Sequence, residues 1–176
     1  DEVERVAKEV EDVLREVEKL IRDVRRKVEE VLKHSEEVAK RVRDTNRELV
    51  KEVERDIKSE ELKEARKALE DNSRKVKEIL DESEKLVREL LRRVEELLKK
   101  VRKEIEDLLR KVKDVKDEKE LRDIIRRLKE VLDKLKKDLE DIIRRLEEVN
   151  RESERLAREA IRHSEEVLDK LRKDSK

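Results

Sequence analysis

Residues 113–121 read "KDVKDEKEL" and residues 55–62 read "RDIKSEEL". In each, an Asp is followed by Val or Ile, then Lys, then a residue suited to start a helix. Asp117 stands as an N-cap with Glu120 three residues on, the spacing of a capping box; Ser59 stands as an N-cap followed by Glu60 and Glu61. These stretches are the two breaks in an otherwise continuous apolar rhythm. They therefore set the number of helices at three.

On the N-terminal side the rhythm is Val3, Ala7, Val10, Leu14, Val17, Ile21, Val24, Val28, Val31, continuing through Val38, Val42, Leu49, Val53 and Ile57. Steps of three and four alternate, which places these residues on one face of a helix. The same spacing runs from Leu62 to Val115 and from Leu121 to Leu171. Helices are expected over about 2–57, 60–115 and 118–174, each roughly 55 residues and about 80 Å long at 1.5 Å per residue. Acids gather at the starts (Asp1, Glu2; Glu60, Glu61; Asp117, Glu118) and bases at two ends (Arg110, Lys111; Arg172, Lys173), complementing the helix dipole. Ile57 and Val115, just past the turns' Asp residues, are placed to pack back on the preceding helix. Short turns make sequential neighbours antiparallel. The expected fold is all-α: one domain over 1–176, a long antiparallel three-helix bundle, up-down-up, with nearly straight helices and weak supercoil.

Composition agrees. The chain has no Gly, Pro, Cys, Met or aromatic residue; 59% of it is charged, with 52 bases against 52 acids. Sheets and tight hairpins want Gly or Asn-Gly turns and β-rich runs, which are lacking. Charges alternate in sign within a periodic apolar pattern, which favours helix over disorder. Zero net charge without a basic patch removes the electrostatic footprint of a nucleic-acid binder. No apolar run reaches the ~18 residues of a membrane span. The chain does not begin with Met, and a removed tag is the expected reason.

The uncharged polar side chains are His34, Ser35, Thr45, Asn46, Ser59, Asn72, Ser73, Ser83, Asn150, Ser153, His163, Ser164 and Ser175. Apart from Ser59 and the terminal Ser175, all fall in the apolar stripes. Both histidines occur in the same pentapeptide, His-Ser-Glu-Glu-Val, at 34–38 and 163–167. Folding the chain back at the first turn brings His34 level with Ser83, Asn46 with Asn72, and Thr45 with Ser73. Folding it at the second brings Ser83 level with Asn150 and Asn72 with His163. Two structural polar layers are expected: His34, Ser35, Ser83, Asn150 and Ser153 in one, and Thr45, Asn46, Asn72, Ser73, His163 and Ser164 in the other. Five of the six alanines (Ala39, Ala65, Ala68, Ala157, Ala160) lie in or beside this region and make room for it. Such groups can satisfy one another, and a buried one left alone costs about 1–3 kcal/mol. Their expected use is specificity, because register slips would bury them against Leu and Val.

Sharper chemistry fits less well. Glu30–His34 and Glu159–His163 have i, i+4 spacing, but the histidines lie at different levels, so no metal site is expected. His34 near Ser83, or His163 near Ser73, would lack a core carboxylate and an oxyanion hole, so no enzyme is expected. Two buried imidazoles would give mild acid sensitivity.

With its Gly- and Pro-free Glu/Lys/Arg/Asp surface, Val/Leu/Ile core, capped turns "IKSEEL" and "VKDEKEL" and two polar layers, the whole chain resembles de novo designed helical bundles with buried hydrogen-bond networks. The resemblance implies a soluble, recombinantly expressed, hyperstable scaffold, made in a host cytoplasm and without natural location, function or cofactor. It requires no partner, nucleic acid or membrane. A monomer is expected; the alternative is a designed interaction or pH-responsive module that self-associates or binds a partner helix.

Overall fold

The computed structural model describes residues 1–176. It is an all-α three-helix bundle of α1 (Glu2–Val53), α2 (Ser59–Val112) and α3 (Glu118–Asp174), without strands. Contacts between α1 and α2, such as Asn46 with Ser73 and Glu54 with Arg66, run in opposite directions along the two helices. Those between α1 and α3, such as Glu9 with Lys129 and Glu16 with Lys136, run in the same direction. The order is therefore up-down-up. The chain divides into two compact units where the sequence suggests one domain. Each unit takes a stretch of all three helices.

The first unit comprises Asp1–Glu29 and Arg88–Leu146. It contains no His, Asn, Ser or Thr. Its interior is aliphatic, with Val17, Val24, Val28, Val94, Leu132 and Leu139 all nearly inaccessible. Along its α1–α3 edge, Glu2 meets Arg122 and Arg126, Glu9 meets Lys129, and Glu16 meets Lys136. The Arg122 hydrogen bond holds the Glu2 carboxyl below its ordinary range, and the Glu16 hydrogen bond raises Lys136. Leu14, at a stripe position, is exposed, whereas Val6, outside the stripe read from sequence, is buried.

The second unit comprises Glu30–Val87 and Glu147–Lys176. Two aliphatic clusters build it. One joins Val38, Val42, Val76, Leu80, Ala157 and Ala160; the other joins Val50, Val53, Ala65, Leu69, Leu168 and Leu171. All the uncharged polar side chains of the chain belong to this unit. Ile79 and Leu86, one heptad apart on α2, are more than half exposed.

The helix ends differ from the reading of the apolar rhythm. α1 stops at Val53, not 57, and α2 at Val112, not 115. The reason lies in the backbone: Asp56 N–H donates to Val53 O, and Lys113, Asp114 and Val115 donate to Arg110, Lys111 and Val112, i to i−3 bonds that tighten the last turn and end it. Ile57 keeps the apolar spacing because it packs on the second cluster beside Leu62 and Val167, without being helical. Asp117 is the N-cap of α3: its Oδ1 accepts from Glu120 N–H at 2.8 Å, and Glu120 Oε2 reaches back to Lys116 N–H at 3.1 Å. Ser59 is not a cap. The Lys58 carbonyl accepts the first helical bond, from Leu62, so Ser59 is the first residue inside α2, with an exposed side chain. Asp117→Ala is therefore expected to lower stability by about 1 kcal/mol, and Ser59→Ala by less than about 0.5 kcal/mol. Denaturant midpoints of the two variants check this; equal losses would contradict the assignment of caps.

Candidate functional site

The chemistry-bearing side chains of the chain cluster in the second unit, around two asparagines. Asn46 on α1 is 2% exposed; its Nδ2 donates to Ser73 Oγ at 2.7 Å and to the Leu69 carbonyl at 3.2 Å, both on α2. Asn72 on α2 points the other way. Its Nδ2 donates to Ser164 Oγ at 2.5 Å and to the Ala160 carbonyl at 2.9 Å, both on α3. Each amide thus uses its two donors as a fork, one tine on a hydroxyl and one on a helix carbonyl. Because Asn72 and Ser73 are adjacent, about 100° apart around α2, one turn of that helix serves both neighbours. Ala65 and Ala160 lie beside these forks, and their small side chains leave room for the amides.

The members of the second expected layer separate accordingly. Asn46, Ser73, Asn72 and Ser164 form two pairs that link α1 to α2 and α2 to α3. Thr45 is half-buried and joins neither pair. His163 is exposed and takes no part in the interior. It shares a level with Asn72, but its neighbour Ser164 occupies the inward position.

The first expected layer is not a connected network. Ser153 turns its hydroxyl onto its own helix, donating to Val149 O at 3.0 Å. Ser35 Oγ and Asn150 Oδ1 are buried without a partner, as is Asn46 Oδ1 beside the second set. Ser83 is half-buried. His34 stands at the α1–α3 edge, with about a quarter of its side chain exposed, and its Nε2 lies 3.0 Å from Glu154 Oε1. Arg41 holds the other oxygen of that carboxylate at 2.7 Å. Glu154 escaped the sequence reading because it sits on the charged face. Its spacing of four from Asn150 is the one signal that could have brought it to notice.

Neither imidazole is hydrogen-bonded to a hydroxyl, and no group of three or more His, Cys, Asp or Glu side chains is placed to hold a metal ion. No helix is long and apolar enough to cross a membrane. With His163 exposed and His34 at an edge, the two buried imidazoles on which acid sensitivity was expected are not there.

Electrostatics concentrate at Glu154. The hydrogen bond from Arg41 lowers its pKa, burial opposes, and the charges of Arg41 and His34 add to the lowering. A carboxyl lowered on folding stabilises the fold above its unfolded pKa, near 4.5. That contribution fades as pH falls through the lower folded value. NMR titration of the Glu154 side chain should place its midpoint below 4.5 in the parent, and Arg41→Gln should move it upward; an unmoved midpoint would show that Arg41 is not the cause. Compared with protein-family models, curated proteins and solved structures, the chain matches none.

Proposed function

We propose that the chain is a de novo designed structural scaffold with no natural biochemical activity, in which buried asparagine–serine pairs fix the alignment of the helices. The observation that carries this reading is the pair of amide forks, Asn46 on Ser73 and Leu69, and Asn72 on Ser164 and Ala160, tying all three helices of one unit. Further support comes from the complete absence of Gly, Pro and aromatic residues, and from the confinement of uncharged polar groups to that unit. The reading requires no cofactor, metal, nucleic acid or membrane. A pH-responsive module is less well supported, because its trigger would have to be imidazoles held away from solvent, and His163 is exposed.

The forks act on specificity more than on stability. A net hydrogen bond contributes about 1 kcal/mol, whereas a buried donor or acceptor stripped of its partner costs about 1–3 kcal/mol. Misaligned helices would strip several at once. Single truncation by Asn72→Ala should cost about 1–3 kcal/mol in denaturant unfolding. Replacing both pairs with aliphatics (Asn46→Leu, Ser73→Ala, Asn72→Leu, Ser164→Ala) should keep helicity and leave stability equal or higher. It should also give several sets of amide NMR resonances where the parent shows one. A single sharp set in that variant would overturn the proposed role.

A further inference from the structure

Four large aliphatic side chains face solvent: Leu14 and Leu109 in the first unit, Ile79 and Leu86 in the second. The last two are the most exposed, at 53% and 66%, and lie one heptad apart on α2. Asn72, a heptad before Ile79, fixes where they point, because it bonds Ala160 and Ser164 of α3. Seven residues make two turns less about 20°, so each heptad after Asn72 swings further from Ser73, which faces α1, and further from the core. Exposure rises accordingly, from half-buried Asn72 through Ile79 to Leu86. Both therefore lie along the outer side of the α2–α3 seam.

The same bonds set the level of α3. Asn72 stands level with Arg162, midway between Ala160 and Ser164, so in the antiparallel pair Ile79 is level with Arg155 and Leu86 with Glu148. Leu156 and Val149, one residue on from each, are their neighbours across the seam. Both lie on the side of α3 turned away from Glu154, which faces α1. Both are half-buried, and Leu156 packs on the cluster of Val38, Val76 and Ala157. Four aliphatic side chains at the corners of a patch about 10 Å long make a hollow of the kind that receives one side chain of a docked helix.

Charge at the hollow has one sign. Glu82 and Glu152 are level with each other, midway between the two aliphatic pairs, one on each outer edge, and both are exposed. Lys75 and Glu159, level with each other at the end of the hollow, offset one another. Further round the two helices, Glu78 and Glu148 are offset by Lys85 and Arg155.

We propose that the α2–α3 seam of the second unit docks an amphipathic helix of a partner, with an aliphatic side chain for the hollow and lysine or arginine on both flanks. The aliphatic residue sits among Ile79, Leu86, Leu156 and Val149 and covers apolar surface that is otherwise wet. The basic flanks meet Glu82 on one edge and Glu152 on the other. A second copy of the chain fits the same hollow badly. With a two-fold axis along the helices, α2 lies over the other copy's α3 at one level, which sets Glu82 against Glu152. With the axis across the helices, midway between Ile79 and Leu86, each Glu82 comes beside the Glu82 of the other copy, and each Glu152 likewise. A docking face of this kind goes beyond the scaffold reading and does not rest on it, since the register of the helices is the same with the seam filled or empty.

The probe is a peptide of about 18 residues, about 27 Å long as a helix, with leucine at two positions of each heptad and lysine on both flanks. It is titrated into the methyl-labelled full chain at low salt and followed by NMR. One helix on one seam is a small interface, so a dissociation constant on the order of 100 µM is expected. The methyl signals of Ile79, Leu86, Leu156 and Val149 should move, and those of Leu14 and Leu109, which are also exposed, should stay. The same peptide with glutamate for lysine should bind about tenfold more weakly. Ile79→Gln with Leu86→Gln should weaken the lysine peptide about tenfold while leaving the unfolding midpoint nearly unchanged, because both side chains are exposed. Glu82→Lys with Glu152→Lys should reverse the preference, so that the glutamate peptide binds more tightly than the lysine one. No movement of the four methyl groups up to about 1 mM peptide, ten times the expected constant, would overturn the proposal. So would equal movement of Leu14 and Leu109, or a preference for lysine that survives the charge reversal. Sedimentation of the chain alone tests the other occupant: a dimer abolished by Ile79→Gln with Leu86→Gln would give the seam to a second copy and overturn the proposal as well.

Discussion

A buried side-chain amide has two donors to satisfy, and in the second unit Asn46 and Asn72 each place both of theirs on a neighbouring helix. Aliphatic contacts change little when one helix slides against another by a turn or a heptad. Asn46 and Asn72 each require a hydroxyl and a backbone carbonyl on a particular neighbour. In the observed alignment both lie at bonding distance.

The first unit has no such groups. Its α1–α3 edge carries Glu2, Glu9 and Glu16 facing Arg122, Lys129 and Lys136, each set repeating every seven residues. A slip by one heptad would re-form two of the three pairs. Partly exposed ion pairs also contribute little each, about 0–1 kcal/mol. Such a ladder confirms the direction of neighbouring helices but barely distinguishes one heptad register from the next. On the proposed reading, directional groups that occur once per level, not once per heptad, make that distinction.

Much of this was legible in the sequence, and the failures share a cause. The three helices, their order, the Asp117 cap and the common levels of the polar residues all follow from spacing along the chain. Spacing does not settle azimuth. Asn72 was placed level with His163, and it is; but Ser164, one residue on and about 100° around the helix, faces inward in its place. The same shift took Asn46 to Ser73 instead of Asn72. The helix ends were overrun because Ile57 keeps the apolar rhythm while serving as a plug on the cluster below the turn. Ser59 looked like a cap by residue type, but the turn closes one residue earlier, at Lys58. Glu154 is not legible in the sequence because nothing in a charged face marks the one carboxylate that will meet an imidazole and a guanidinium.

The unpartnered atoms show where polar groups are buried at a cost. Asn72 is half-buried, so its carbonyl oxygen can be hydrated while its Nδ2 bonds α3. Asn46 is far more deeply enclosed, and its Oδ1 has neither protein partner nor open solvent. An aliphatic residue of similar size at position 46 would carry no such penalty and would pack against Val42 and Leu69. The asparagine is therefore the weaker choice for stability, and what it adds is the fork to Ser73 and Leu69. On the proposed reading, a sequence built from interchangeable aliphatic positions needs at least one position that is not interchangeable, and Asn46 meets that need at the expense of its own carbonyl.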